Sequence, residues 1–346
     1  MAELKPCTPA EFRALLAGEW PVEWQPVWGQ QEGLGARLST LALRAALTVA
    51  SRSPDGAVDA LVNGLAALAQ RVDRRRNKSA REFLTQAYGA LPEAELERRV
   101  RDAWRHLFRV GVDTEAFFLR VPLEETVAHY DVHASDAARA VLGEERGCML
   151  VTAHLGNWEA ALSIMPWLGF QPLYGVARPP KNRYLSEIMQ ATRERRGVRI
   201  LSRKGAMTAA PAVLKAGGSL GLVIDQRTSG RALLAPFFGR LARCDRSSGV
   251  LLKRQKVPIL MVVCTLTDRP LHYRLELTEV MWPEDWQRAE VEEIVTHLNG
   301  LFEREIRRYP EQYVWIHDRY RDTPMAVDPD GPARILRTNP MESPSE

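Results

Sequence analysis

Apolar positions in the first part of the chain recur at helical spacing. Leu61, Leu65, Leu68 and Val72 fall on one stripe, and Val100, Trp104, Leu107 and Phe108 on another. The second stripe opens at Pro92 with Glu93 and Glu95, where a missing N–H is harmless and acids complement the helix dipole. Residues 34–144 are therefore expected to be helical throughout. From Gly147 the texture changes, with short apolar runs alternating with helical stretches: 148–153 then 157–168, 172–177 then 183–196, 198–201 then 205–216, then 220–225 and 258–264. That alternation predicts a mostly parallel sheet with helices on its faces. Tyr273, Leu275 and Leu277 alternate with polar neighbours and predict an antiparallel edge strand. Residues 290–308 predict a long helix, followed by a short apolar run at 313–316. The pattern thus gives an α/β fold preceded by a helical N-terminal region: one domain over 34–322, with a helical part (34–144) and an α/β part (145–322).

Two segments lie outside that pattern. Residues 1–33 read as an irregular lead-in, because Pro21 and Pro26 interrupt the helical spacing of Trp20, Trp24 and Trp28. Those tryptophans suit either a lipid headgroup boundary or the outer edge of the core. The stretch 323–346 is rich in Pro, Asp and Ser and is expected to be a disordered tail.

Composition narrows the class. The 346 residues are 45% hydrophobic with a net charge of +4, which fits a globular protein and lacks the clustered basicity of a nucleic-acid binder. Cys7, Cys148, Cys244 and Cys264 have no paired spacing and read as small core residues. No metal site is expected, since no second histidine stands at ligand spacing from His154. The N-terminus lacks the basic and apolar regions of a secretory signal. The apolar stretch 34–50 is broken by Arg37 and Arg44, so it is not expected to span a membrane. It fits a packed helix, or a helix in a membrane interface with its arginines snorkelling.

The candidate chemistry centres on the run VTAHLGNWEAAL. His154 stands at the carboxyl end of a strand, where open parallel sheets collect reactive groups. Glu159 follows five positions later, at the start of a helix. A carboxylate bonded to one imidazole nitrogen fixes the tautomer and strengthens the other as a base. His154 and Glu159 are therefore the catalytic candidates, with no protein nucleophile, since GxSxG is absent. The bland alternative is an ordinary strand–helix turn in which Asn157 and Trp158 cap and pack. Arg193 and Arg196 lie on the helix 183–196, Arg196 near the centre of its apolar stripe, where an inward arginine usually has an anion partner. With Arg199, Arg203 and Lys204 they form either a solvated basic face or a phosphate-recognising one. Asp225 closes a strand. Phe237 and Phe238, in the turn PFFG, form either the wall of an acyl-chain groove or a plug in the core.

HLGNWE, RPxxN with Arg193 and Gly197, VIDQ, PFFG and YPEQYVWIHDRY follow one another in an order that resembles the bacterial lipid A biosynthesis acyltransferase family, over roughly residues 36–322. That family includes late lauroyl and myristoyl transferases and phosphatidylinositol mannoside acyltransferases. The resemblance implies a glycerolphosphate-acyltransferase-like fold and transfer of a fatty acyl group to a glycolipid hydroxyl. It implies His154 as base and Glu159 as its orienting acid, and Arg193 and Asp225 match two further positions at which the family carries functional polar residues; with Asn157, Arg196, Phe237 and Phe238, singled out by their placement, they make up the substrate-binding candidates. Trp315, His317 and Arg319 match the C-terminal signature, in a mainly structural role. The implied co-substrate is an acyl carrier protein or coenzyme A thioester, with no resident cofactor. The implied acceptor is a membrane glycolipid, met by peripheral association at the cytoplasmic face of the inner membrane. Asp318 stands where many relatives have a basic residue, and Arg37 and Arg44 interrupt the segment that is a membrane helix in many of them. A non-catalytic lipid-binding protein and an acyl thioesterase are the alternative readings.

Overall fold

The computed structural model describes residues 6–22, 29–144, 146–203, 205–228 and 232–323. Trp24, Trp28, Lys204 and the segment 324–346 lie outside them. The lead-in is not irregular throughout: α1 (Pro9–Ala17) starts with proline at its first turn and a reciprocal Thr8–Glu11 capping box. Its Phe12 stacks on Trp167 with ring centroids 4.0 Å apart, which anchors the helix to the core. Trp20 meets Tyr174 edge-on at 5.2 Å, and the Arg199 guanidinium lies 4.2 Å from its ring centroid.

Four helices follow: α2 (Leu34–Arg52), α3 (Asp55–Val72), α4 (Arg74–Tyr88) and the 28-residue α5 (Glu93–Arg120). Both α2 and α3 pack on α5, where Ala50, Val58, Val62 and Val112 form a small core of their own. The expected stripe of Leu61, Leu65, Leu68 and Val72 exists, but it faces outward. Val58, Val62 and Ala66 take the inward positions. Periodicity identifies an apolar stripe without saying what covers it.

The region to 144 is not all helical. β1 (Tyr130–Ala134) precedes the short α6 (Asp136–Val141) and joins the main sheet. The remaining elements alternate as expected: β2 (Cys148–Thr152), α7 (Trp158–Ile164), β3 (Leu173–Ala177), α8 (Arg183–Arg195), β4 (Val198–Ser202), α9 (Ala206–Lys215) and β5 (Ser219–Val223). A hairpin, β6 (Ala232–Phe237) with β7 (Arg240–Asp245), is followed by α10 (Ser247–Gln255), β8 (Ile259–Leu266), β9 (Tyr273–Met281) and α11 (Val291–Arg308). The seven-stranded sheet runs β1-β9-β8-β2-β5-β3-β4, with every neighbouring pair parallel except β8 with β9. β9 is antiparallel to β8, as its alternation predicts, but it is not the edge. β1 lies outside it. Five residues with half their side chains toward solvent give β1 too little pattern to stand out against helical neighbours.

Each face of the sheet has its own core. On one side Leu150, Leu173, Ile200 and Val262 pack with α1, α7 and the end of α5. On the other Met149, Val151, Leu220 and Met261 pack with α4, α9, α10 and α11.

Candidate active site

β2 and β5 are neighbouring parallel strands with Thr152 opposite Val223. Two residues further along each chain stand His154 and Asp225. The register thus brings together side chains 71 positions apart in sequence. His154 Nδ1 lies 2.6 Å from Asp225 Oδ1. The other oxygen, Oδ2, accepts from the Tyr313 hydroxyl at 3.0 Å. Asp225 is fully buried. Burial alone would raise its carboxyl pKa, but the charge and hydrogen bond of His154 hold it below the ordinary carboxylate value. An ionised carboxylate only accepts, so His154 Nδ1 carries the proton and Nε2 is left free as a base. The Trp158 ring stands 4.9 Å from the imidazole, nearly edge-on, and limits its rotation.

Glu159 is not the partner of His154. In the first turn of α7 it faces α8, and Arg193 grips it with a two-pronged bond, Nε–Oε2 at 3.0 Å and Nη2–Oε1 at 2.5 Å. Burial would weaken the Arg193 proton; the Glu159 carboxylate more than offsets that, so the guanidinium stays charged. A spacing of five places Glu159 too far around the helix to reach back to the strand end.

The loop carrying His154 is braced by the C-terminal signature. The Val314 amide donates to the His154 carbonyl at 3.2 Å, and the Gly156 amide to the Gln312 carbonyl at 2.8 Å. Gly156 has φ +60°, and a Cβ there would sit 2.0 Å from the Cys264 carbonyl oxygen, so only glycine fits. Trp315 is buried, with its Nε1 bonded to the Pro310 carbonyl. His317 Nε2 accepts the Arg227 amide at 2.8 Å, and burial pushes its pKa down to about 4, which keeps it neutral. Arg319 donates to the Arg243 carbonyl and Cys244 Sγ. These contacts are structural.

A cleft of about 1900 Å³ opens beside the histidine. His154, Trp158, Glu159 and Arg193 line it near the strand ends, and it extends inward between α7 and the sheet, past Leu162 and Met165. There Gly175 and Gly221 stand side by side on β3 and β5. A Cβ on Gly221 would meet Leu162 Cδ2 at 2.9 Å, and one on Gly175 would meet Ile200 Cδ1 at 3.0 Å. The absent side chains leave the floor of this branch low. Arg178, Lys181, Arg203, Arg227, Arg246 and Arg254 add positive charge to the lining.

Four expected substrate-binding residues lie elsewhere. Asn157 is fully buried and caps α7, its Oδ1 accepting from the Ala160 amide at 2.9 Å and from Thr114, while its Nδ2 reaches Tyr273. Arg196 does point inward, but it donates to Thr126 Oγ1 and the Val121 carbonyl and lies over Phe117 and Phe118. Neutral oxygens and rings replace the expected anion, and burial lowers its pKa. Phe237 and Phe238 are core residues packed around Phe83, away from the cleft. Phe238 (φ +49°) and Gly239 (φ +71°) form the tight turn of the β6–β7 hairpin. Cys148 faces Ser219 in the core, its thiol pushed up to about 12 by burial, too high for a nucleophile. Sequence reading singled out Asp225 but not its role, and it missed Tyr313.

Residues 37–322 match the model of a family described as bacterial lipid A biosynthesis acyltransferase. The chain is similar to the lipid A biosynthesis palmitoleoyltransferase of Escherichia coli (strain K12), 26% identical over 267 residues, covering 75% of this chain and 84% of that protein. It is similar to the same extent to a lipid A biosynthesis acyltransferase of Shigella flexneri, at 26% identity over 267 residues.

Proposed function

The chain belongs to the bacterial lipid A biosynthesis acyltransferase family, and on that footing we propose that it transfers a fatty acyl group from an acyl thioester to a hydroxyl of a lipid A-type glycolipid. The observation that carries the mechanism is the 2.6 Å contact between His154 and buried Asp225 at the wall of a deep cleft. His154 Nε2 takes the proton of the acceptor hydroxyl as its oxygen attacks the thioester carbonyl. The C–S bond then breaks, and the leaving thiolate takes the proton back from the imidazolium. Asp225 holds the tautomer and stabilises the transient imidazolium, which is the part expected of Glu159 from the motif.

Glu159 has a different task in this reading: it holds Arg193 so that the guanidinium N–H groups it does not use face the cleft. Those donors, or the other basic residues of the lining, receive the charge that develops on the carbonyl oxygen and the phosphates carried by both substrates. The acyl chain lies along the glycine floor between α7 and the sheet. Acyl carrier protein and coenzyme A are both suitable donors, since each presents its thioester on a phosphopantetheine arm. Lauroyl and myristoyl chains are what the sequence resemblance implies, and the name of the E. coli relative specifies a palmitoleoyl group.

The test is transfer of a labelled acyl group from its thioester to a lipid A precursor by purified protein. His154→Ala is expected to abolish transfer in a protein that still folds, with stability lowered by about 1–3 kcal/mol because buried Asp225 loses a partner. Undiminished transfer by His154→Ala would overturn the mechanism. Free fatty acid released at the wild-type transfer rate without acceptor would assign a thioesterase instead.

A further inference from the structure

The cleft has a second apolar branch, on the opposite face of the sheet. Side chains alternate along β5. Gly221, opposite Leu150, faces α7, whereas Leu220, opposite Met149, belongs with Leu222 to the core on the other side. Leu220, Leu222 and Ile224 line the cleft as Gly221 does. The walls of this branch come from α9 and α10. Ala206 and Ala210 stand one turn apart on α9 with Met207 beside them, and α10 contributes Val250 and Leu251. Each helix leads into a strand parallel to β2, so both begin at the strand ends beside His154 and run down along the sheet. From Ile224 to Leu220 the floor extends over roughly 13 Å. The two alanines are buried and leave α9 thin here, as the two glycines lower the floor beside α7.

The chemistry of this branch indicates what fills it. At about 1900 Å³ the whole cleft is well above the roughly 300–1000 Å³ typical of a site for one small ligand. A thioester donor brings a single acyl chain, which the glycine floor beside α7 accommodates. The other branch is lined by Ala206, Ala210, Leu220, Leu222 and Leu251, none of which has a hydrogen-bonding side chain. The amides of a pantetheine arm would lose their water there without replacement. A hydrocarbon chain loses nothing and gains by leaving water. Charge supplies the other half. Arg203, Arg227 and Arg246 stand just past β4, β5 and β7 and set positive charge at the mouth of the branch. An anionic head held there, with its chain descending between α9 and α10, describes an anionic lipid.

We infer that the branch between α9 and α10 binds a hydrocarbon chain of the acceptor. The chains of the two substrates then lie on opposite faces of the sheet, and the branches meet at the strand end that carries His154. The glycolipid is recognised by its own acyl chain as well as by its headgroup, so an unacylated phosphosugar is a poor acceptor. The inference rests on the reading that the protein transfers an acyl group to a glycolipid, and it adds where that glycolipid sits.

Photocrosslinking of the full chain with two probes tests it. A non-hydrolysable acyl thioether of coenzyme A, with a diazirine at the end of its chain, is expected to label α7. An acylated glucosamine phosphate with a diazirine in its chain is expected to label α9 and α10 near Met207 and Val250, and to do so while the thioether is bound. Val250→Phe, and separately Ala210→Leu, should cut the second labelling and raise the KM for a lipid A precursor by roughly tenfold or more, leaving the KM of the thioester in place. Gly221→Val should do the reverse. The two variants lie on different helices, so misfolding of one leaves the other to decide. Labelling of α7 by the glycolipid probe, or its displacement by the thioether, would overturn the inference. So would a thioether chain found against α9 and α10. Crosslinking is read without turnover: probes that sort as expected on a protein that transfers no acyl group would sink the transfer reading alone.

Discussion

Asp225→Asn separates the two carboxylates of the site. It keeps the shape but cannot hold an imidazolium, so transfer is expected to fall by on the order of 10⁴-fold, as for the acid of a hydrolase triad. Glu159→Gln leaves the Asp225 bond intact and frees Arg193. The loss should be smaller, and the acid limb of the pH–rate profile should stay in place, whereas Asp225→Asn moves that limb. Rate profiles of the two variants decide which acid serves His154. Tyr313→Phe removes the second donor to Asp225 and should destabilise the fold by about 1–3 kcal/mol, because a buried acceptor loses a partner; chemical denaturation measures it. Sequence made His154, Asp225, Glu159 and Arg193 legible as a set, since each is a polar residue at a strand end or helix edge. It could not pair them correctly. Pairing depends on β5 lying beside β2, and strand order is a property of the assembled sheet. Asn157 and Arg196 misled for a related reason: a polar side chain in an apolar setting can serve a helix cap or a carbonyl oxygen as well as a ligand.

At the scale of elements, the space between α7 and the sheet depends on two glycines. Gly221→Val would push Leu162 into the inner branch of the cleft. The substitution should shift the ratio of short- to long-chain transfer by on the order of tenfold, the discrimination that one or two methylenes provide. Competition between acyl thioesters of different length reads it out. Gly156→Ala has no such room. The added carbon would meet the Cys264 carbonyl, and the turn that presents His154 would have to move, so loss of soluble protein or destabilisation above about 3 kcal/mol is expected. The alternating strands and helices from β2 onward were visible because buried parallel strands are continuous apolar runs. β1 was not, because an edge strand carries a diluted pattern, and β6 was not, because its buried apolar run was read only through its PFFG end, as a turn. The stripes of α2 and α3 show a further limit. Their period was legible, but their orientation was not, because a leucine facing outward and one facing a core look alike in sequence.

For the molecule as a whole, buried His106 and partly buried His317 couple folding to pH. Burial pushes His106 and His317 down to about 4, although the Gly156 carbonyl partly counters this at His106. Both bind protons more weakly folded than unfolded. Their stabilisation is therefore fully present above about pH 6.5, the ordinary histidine value, and is lost as pH falls toward 4. Calorimetry should show the thermal midpoint declining through that window, with a shallower decline in His317→Gln. Asp225, whose pKa is lowered, acts in a separate range: its contribution holds above the ordinary carboxylate value and disappears beneath it. The bond from Tyr313 to Asp225 and the amide of Val314 on His154 tie the candidate pair to a segment far along the chain. A polypeptide nicked ahead of Tyr313 would keep both side chains but lose what steadies them, so proteolysis at that point is expected to unseat the pair.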